Sequence, residues 1–194
     1  MKLVLASSNP GKLKEIRNLL SDSGKEIVNQ AELGIDDAIE NGSSFMENAL
    51  IKARHASLHS GSAALADDSG LEVDFLEGKP GIHSARFAGP KATDEDNIRK
   101  LLNDLQGVPE EQRTARFHCV IALILNETDE KPTLCHGIWE GRILDHCSGD
   151  NGFGYDPIFY VPELGCTSAS LTPEMKNSHS HRAIALKKLA AHLL

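Results

Sequence analysis

The chain has 194 residues and a formal net charge of −8, with 40% hydrophobic and 25% charged residues. This length suits a single domain, residues 1–194, whose core is large enough to fold without a disulfide or a structural metal. The acidic balance argues against a surface that coats a nucleic-acid polymer, although a few cations gathered in one cleft can still bind a nucleotide.

The four cysteines show no Cys-x-x-Cys spacing (Cys119, Cys135, Cys147 and Cys166). Scattered thiols of this kind fit the reducing conditions of the cytoplasm. The apolar run at the start of the sequence is also too short for a signal peptide. No stretch approaches the ~20 apolar residues of a membrane helix. We therefore expect a cytoplasmic protein with no membrane partner.

The first pattern is a strand, a polar loop and a helix. Leu3-Val4-Leu5-Ala6 predicts a buried central strand, and Leu13, Ile16, Leu19 and Leu20 follow at helical spacing. Between them lies Ser7-Ser8-Asn9-Pro10-Gly11-Lys12, which lacks the P-loop spacing. A loop at a helix N-terminus gathers N–H groups and suits a phosphate. The alternative is a plain turn capped by Asn9 or Ser8.

The next elements are a weak strand over residues 26–28, an acidic loop over residues 36–42, and a helix from Ser44 to about Leu58. Ser44 and Glu47 fit a capping box. We expect the apolar stripe of this helix to comprise Met46, Ala49, Leu50 and Ala53. Glu40 in the acidic loop is either a metal ligand or a solvated acid.

Ala63-Ala64-Leu65-Ala66 predicts a buried strand that opens into a turn at Asp67-Asp68-Ser69-Gly70. Two adjacent carboxylates repel each other and are costly to bury unless a cation meets them. Mg²⁺, which prefers carboxylate oxygens, is one such cation. The alternative is an acid pair that caps a helix or forms a turn.

Residues 78–86 form a loop rich in glycine and proline, with Arg86 at its end, and a helix begins after Thr93. Residues 114–125 and 134–144 predict strands joined by a turn. Three helices flanked by strands, together with this hairpin, indicate the α/β class with a mixed sheet.

The end of the chain holds two irregular motifs. In the glycine-rich stretch 148–157, Phe153 and Tyr155 either stack on a purine or pack into the core, and Asp156 can accept from a ring N–H. Ser180 is a cap that places His181 and Arg182 in the first turn of the last helix. Cations there oppose the helix dipole, which points to an anionic ligand or a base carbonyl.

Six motifs, in this order, resemble the inosine triphosphate pyrophosphatase family, which acts on non-standard purine nucleoside triphosphates. They are Leu5-Ala6-Ser7-Ser8-Asn9-Pro10-Gly11-Lys12, Phe45-x-Glu47-Asn48-Ala49, Ala66-Asp67-Asp68-Ser69-Gly70-Leu71, Pro80-Gly81-x-x-Ser84-Ala85-Arg86-Phe87, Gly152-Phe153-Gly154-Tyr155-Asp156-Pro157 and Lys176-Asn177-x-x-Ser180-His181-Arg182. The family often has threonine where this chain has Ser7, and both supply a hydroxyl.

The resemblance implies hydrolysis of ITP, dITP and XTP to the monophosphate and pyrophosphate with Mg²⁺. It also implies a homodimer and an elongated α/β fold, a mixed β-sheet flanked by helices, with two lobes and a central cleft. By position, Asp68 is the proton acceptor and a metal ligand, and Glu40 is the second ligand. The substrate contacts implied are Ser7, Ser8, Asn9, Pro10, Gly11, Lys12, Ser69, Phe153, Gly154, Tyr155, Asp156, Lys176, His181 and Arg182, with Lys52 and Arg86 as additional cations.

Three other interpretations compete with this one. A Maf-type pyrophosphatase would act on pyrimidine or modified nucleotides, and it is disfavoured by Lys12 and by the Ser180-His181-Arg182 ending. A non-enzymatic nucleotide-binding module would not need Asp67-Asp68. A partner-binding scaffold would be indifferent to Mg²⁺ and ITP.

Overall fold

The computed structural model describes residues 2–20 and 24–193, and these contain one sheet of seven strands in the order β2-β1-β3-β4-β5-β6-β7. The strands are β1 (Lys2–Ala6), β2 (Glu26–Asn29), β3 (Ala63–Val73), β4 (Thr114–Ile124), β5 (Thr133–Ile143), β6 (Phe159–Val161) and β7 (Cys166–Thr167). The helices are α1 (Pro10–Leu19), α2 (Phe45–Ser60), α3 (Asp94–Asp104), α4 (Pro173–His179) and α5 (His181–Leu193). β1 runs parallel to β2 and β3, whereas β6 is antiparallel to β5 and β7. The predicted α/β class with a mixed sheet is confirmed.

The chain divides into two compact units. Unit 1 comprises residues 1–69, 119–137 and 181–194, and unit 2 comprises residues 70–118 and 138–180. Strands β3, β4 and β5 contribute residues to both units. Each unit has its own cluster of buried apolar side chains.

Unit 1 is built around β1, which is buried from Leu3 to Ala6 between two parallel neighbours. Side chains alternate between the faces of a strand, so odd-numbered residues of β1 and β3 share one face. Leu3, Leu5 and Leu65 on that face pack with α1 and α5. Helix α2 packs on β1 through small buried residues, including Ala49 and Ala53, on the opposite face.

Unit 2 has the more aromatic core. Helix α3 is capped by Thr93, as the sequence predicts, and buries Ile98 and Leu101. The Phe159 ring centroid lies 4.4 Å from that of Phe117 and 5.4 Å from that of Trp139. Aromatic pairs at these distances are stabilising. Through Phe159, they help to hold the short strand β6 against the long strands β4 and β5.

Two predictions about local structure are wrong, and three short elements were not predicted. Residues 67–70 do not form a turn: they are extended within β3, because backbone pairing of a buried strand outweighs the turn preference of aspartate and glycine. Met46 points outward with 48% of its surface exposed, and Asn48 is buried instead. Helix α4 and the short strands β6 and β7 carry too few residues for a periodic pattern, and the sequence did not indicate them.

Among the described residues, no helix has the length and apolar character needed to cross a membrane.

Candidate active site

Two neighbouring carboxylates of β3, both in unit 1, have separate environments. Asp67 and Asp68 are only 1% and 6% exposed. Because successive side chains of a strand point to opposite faces, Asp67 faces α1 and α5 whereas Asp68 faces α2. Each carboxylate meets its own cations, so the repulsion expected of adjacent acids is relieved.

Asp67 is enclosed by cations and donors. Its Oδ2 lies 3.1 Å from Lys12 Nζ and 3.4 Å from Arg182 Nη2, and it accepts a 2.7 Å hydrogen bond from Ser69 Oγ. Burial alone would raise the pKa of Asp67, but the charges of Lys12 and Arg182 outweigh it and lower this pKa far below its ordinary value. Asp67 is therefore a permanent anion that holds two cations in place.

Arg182, in the first turn of α5, is held between two carboxylates. Its guanidinium pairs with Asp67 and with Glu15 of α1, and Nη2 donates to Ser69 Oγ at 3.3 Å. Burial would lower the pKa of Arg182, but Asp67 and Glu15 raise it above its ordinary value. The sequence interpretation explained this cation by an anionic ligand, and the structure supplies carboxylates of the chain itself. His181 beside it is also buried.

The predicted phosphate loop joins β1 to α1. Ser7 is buried and its Oγ accepts from the Asn9 N–H at 3.3 Å, whereas Ser8 is exposed. Asn9 caps α1, since its Oδ1 accepts from the Lys12 N–H at 3.1 Å, and the predicted cap is confirmed. Pro10, Gly11 and Lys12 therefore form the first turn of the helix. The N-terminus of this ten-residue helix, with Lys12 beside it, suits an anion.

Asp68 shares a lysine with Glu40. Lys52 Nζ lies 2.7 Å from Asp68 Oδ1 and 3.3 Å from Glu40 Oε1. Burial would lower the pKa of Lys52, but these carboxylates outweigh it and raise this pKa. For Asp68, the effect of burial is larger than that of the positive charge on Lys52, so the pKa of Asp68 is raised. A carboxyl group with a raised pKa is a better proton acceptor than the permanently ionised Asp67.

The same two carboxylates fit a divalent cation. Mg²⁺ is usually held in substrate sites by one or two carboxylates together with water and substrate phosphates. Asp68 and Glu40 supply such oxygen ligands, brought together by their shared partner Lys52. Among the described residues, no group of three or more histidine, cysteine or acidic side chains is placed to bind a metal.

In unit 2, Asp156 organises the glycine-rich motif. Its Oδ2 accepts from the Phe153 N–H at 2.9 Å and from Lys176 Nζ at 2.6 Å, and its Oδ1 accepts from Ser168 Oγ at 2.8 Å. A Cβ at Gly152 would collide with this carboxylate. Lys176 is buried and its Nζ lies 4.9 Å from the centroid of the Phe153 ring. Asp156 thus fixes the position of the aromatic ring and of the lysine.

The two aromatic residues of this motif differ. Tyr155 is buried in the core of unit 2, and its hydroxyl donates to the Ser84 carbonyl at 2.9 Å. Burial raises the pKa of Tyr155, so this hydroxyl stays protonated. Phe153 is only half-buried. Of the two alternatives left by the sequence, core packing therefore holds for Tyr155, and Phe153 keeps a face that can stack.

Several residues that build these groups were not identified from the sequence. Glu15 holds Arg182, Ser168 holds Asp156, and Asp94 Oδ2 accepts from the Gly154 N–H at 2.7 Å. Only Glu15 carried a local signal, since it lies three residues after Lys12 on one helix face. Ser168 and Asp94 are distant in sequence from the motif they hold. Arg86 is exposed, as expected of a residue at the rim of a loop.

The fold is α/β, and unit 1 carries a helix N-terminus, two partly buried lysines (Lys12 and Lys52) and a carboxylate pair suited to a phosphorylated ligand. The Ham1 family model matches residues 3–192, and the chain belongs to this family. It is 58% identical over 192 residues to the dITP/XTP pyrophosphatase of Vibrio vulnificus (strain YJ016), covering 99% of this chain and 96% of that protein. It is 55% identical over 188 residues to the protein of the same name from Vibrio cholerae, covering 97% and 94%.

Solved structures agree with this assignment. The HAM1 protein from Coxiella burnetii is 50% identical, with a TM-score of 0.93, and the match covers 100% of this chain and 98% of that one. The Ham1 protein of Staphylococcus aureus is 42% identical with a TM-score of 0.88, covering 100% and 98%. The predicted resemblance to non-standard purine triphosphate pyrophosphatases is confirmed.

Proposed function

We propose that the chain is a nucleoside triphosphate pyrophosphatase that hydrolyses ITP, dITP and XTP to the monophosphate and pyrophosphate. The observation that carries the proposal is the Asp68–Lys52–Glu40 group, in which Asp68 is buried and the other two side chains are partly buried. It occurs in a chain 58% identical to a protein named dITP/XTP pyrophosphatase. Such an enzyme removes non-standard purines from the nucleotide pool before they are used.

Unit 1 binds the triphosphate in this proposal. The residues that contact it are Ser7, Ser8, Asn9, Pro10, Gly11, Lys12 and Ser69. The N–H groups at the start of α1 and the Lys12 ammonium neutralise phosphate charge. Arg86, an exposed residue of unit 2, is an additional cation implied by the family resemblance. Because Asp67 fixes Lys12, this ammonium needs little reorganisation when the substrate binds.

Asp68 acts on the attacking water. Its raised pKa makes it the better base of the pair, and a carboxylate beside a cation can take a proton from water as the water attacks the α-phosphorus. Asp68 and Glu40 would hold Mg²⁺, which when bound neutralises the triphosphate and makes pyrophosphate a better leaving group. Lys52 balances the two carboxylates in the free protein and joins the cations around the phosphates. No covalent intermediate is needed.

The family resemblance also implies a set of residues that contact the purine. Phe153 and Gly154 offer a flat face to the base, and Tyr155 and Asp156 hold that motif in place. By the same resemblance His181 and Arg182 join Phe153, Gly154, Tyr155 and Asp156 in binding the base, whereas Lys176 binds the triphosphate. A hydrogen-bond donor directed at the 6-oxo group, either Arg182 or a backbone N–H, is satisfied by hypoxanthine or xanthine and left unpaired by the 6-amino group of adenine. Such a site rejects the mismatched base by roughly 10⁴-fold.

The family resemblance also supports a homodimer that works in the cytoplasm, where its nucleotide substrates are found. Light scattering after size-exclusion chromatography tests the dimer, and a monomer at micromolar concentration would contradict it.

The test of the activity is pyrophosphate release from ITP, dITP, XTP, GTP, ATP and dUTP, each with and without Mg²⁺. We expect rapid Mg²⁺-dependent turnover of the first three. Asp68→Asn should still bind ITP but lose about 10²- to 10⁴-fold in kcat, the usual contribution of a general base. Equal turnover of ATP and ITP, preference for dUTP, or phosphate as first product would refute the proposal.

A further inference from the structure

Glu40 lies in a stretch of unit 1 that has neither helix nor strand, the acidic segment (residues 36–42). The one ion pair that its side chain makes within the described residues is with Lys52, at 3.3 Å. A loop carboxylate with a single flexible partner is poorly fixed, yet a metal ligand has to be held in place. The position of Glu40 therefore depends on what holds the acidic segment itself.

Both ends of the acidic segment are bound to helix α2. Near its start, His55 Nε2 donates to the Asp36 carbonyl at 2.9 Å. At its end, the Gly42 N–H donates to Asn48 Oδ1 at 2.9 Å. Asn48, Lys52 and His55 follow one another at intervals of four and three residues, so they lie on one face of the helix. One face of α2 thus contacts the segment on both sides of the lysine that holds Glu40.

Of these two contacts, the one between Asn48 and Gly42 is the more buried and the more closely packed. Asn48 is 1% exposed, and a Cβ on Gly42 would lie 2.7 Å from its Oδ1 and 2.8 Å from Glu47 Cβ. The neighbouring Ser43 N–H donates to Glu47 Oε2 at 2.6 Å. Within residues 2–20 and 24–193, Asn48 Nδ2 has no hydrogen-bond partner. Within the described residues, this buried amide therefore forms its hydrogen bond through its oxygen, which accepts from the Gly42 N–H.

We propose that Asn48 is a positioning residue that places Glu40 at the metal ion of the substrate by binding the Gly42 N–H. This inference rests on the proposed role of Glu40 as a metal ligand. It gives a function to the Phe45-x-Glu47-Asn48-Ala49 motif, in which Asn48 and Glu47 bind the backbone two and three residues after Glu40. It also accounts for glycine at position 42, because only glycine permits so close an approach to the helix.

Two measurements that do not depend on turnover test the proposal. The first is hydrogen exchange of the acidic segment in the protein without nucleotide. The second is Mn²⁺ affinity, by electron paramagnetic resonance, of the enzyme saturated with a non-hydrolysable α,β-methylene analogue of dITP. Asn48→Leu keeps the size of the side chain and removes the acceptor. We expect faster exchange at Gly42 and Mn²⁺ binding weakened by about tenfold or more, the usual effect of losing a group that orients a metal ligand.

A second variant and a double-mutant cycle test whether the effect of Asn48 is transmitted through Glu40. Gly42→Ala leaves Asn48 intact but forces the segment away, and it should weaken Mn²⁺ binding similarly. In a Glu40→Gln background, Asn48→Leu should have no further effect on Mn²⁺ affinity, because it acts through Glu40. The control is Ser57→Ala, which removes another buried hydrogen bond of α2, the 2.7 Å bond from Ser57 Oγ to the Ser62 carbonyl, and should leave Mn²⁺ affinity unchanged.

The possible failures are distinguishable. If Glu40→Gln weakens Mn²⁺ binding but Asn48→Leu does not, Asn48 has no positioning role and the proposed metal role of Glu40 stands. If Glu40→Gln has no effect on Mn²⁺ binding, both are overturned. Additive effects in the double variant would also overturn the inference, since they would mean that Asn48 acts by another route.

Discussion

The clearest quantitative consequence of the structure concerns Asp67. Asp67→Asn keeps the shape of the side chain but leaves the ammonium of Lys12 and the guanidinium of Arg182 without this carboxylate. Removing one partner of a buried ion pair costs about 3–5 kcal/mol. Because Arg182 keeps Glu15, we expect the lower end, about 3 kcal/mol, which lowers Tm by roughly 6–12 °C for a chain of this length.

The pH dependence of this effect has a definite sign. The pKa of Asp67 is lowered in the folded protein, so its contribution to stability is complete above the unfolded value of about 3.9. That contribution is lost as the pH falls from this value toward the much lower folded pKa. The difference in Tm between wild type and Asp67→Asn should therefore be full at pH 7 and shrink below about pH 4.

Asp68→Asn is the matched control, since it is the same substitution one residue along β3. The pKa of Asp68 is raised by burial, so its charged form is disfavoured by the fold and a neutral amide should raise Tm. Thermal unfolding followed by circular dichroism at pH 7 compares the three proteins. The reasoning would be refuted if Asp67→Asn had the same Tm as wild type. It would also be refuted if the Tm of Asp68→Asn were as low as that of Asp67→Asn.

Three further predictions follow from other contacts. Lys52→Met removes a cation that favours the Asp68 anion, so the pKa of Asp68 should rise further. The acidic limb of the plot of kcat/KM against pH should then move to higher pH. If this limb did not move, Asp68 would be excluded as the titrating base. Lys176→Met leaves Asp156 buried without its cation and should cost about 3–5 kcal/mol in urea unfolding as well as raise KM for ITP, whereas wild-type stability would contradict the pairing. At Gly137 a Cβ would meet the carbonyl that begins α5, so Gly137→Ala should cost about 1–3 kcal/mol, and an unchanged urea midpoint would contradict that contact.

The long elements of the fold were predictable from the sequence, because their patterns are long enough to be distinctive. Strand β4 and helix α3 begin within a residue of their predicted starts. The turn expected at Asp67 was wrong for a physical reason. The preference of aspartate and glycine for turns is local, whereas the pairing that keeps β3 extended comes from distant parts of the chain.

The candidate site was predictable in its residue types and less so in its contacts. The sequence singled out Arg182 because a cation opposes the dipole at the start of a helix, and the structure shows that Glu15 and Asp67 are its partners. Such pairs join residues more than a hundred positions apart, and no local pattern records them. The partners of Asp156 are nearer in sequence, 3, 12 and 20 residues away, but they lie in irregular or short elements that carry no periodic pattern.

The alternation of side chains along β3 also restricts how this segment can vary in length. Inserting or deleting one residue before Asp67 would exchange the two faces and present Asp68 to α1 and α5, with Asp67 toward α2. Because the pKa of each carboxyl group is set by its neighbours, Asp68 would then become the permanent anion beside Lys12 and Arg182. Asp67, displaced along the strand, would be left to face Lys52. Family members that differ in length before this pair should therefore take up the change in the loop that precedes β3, or differ by two residues within the strand.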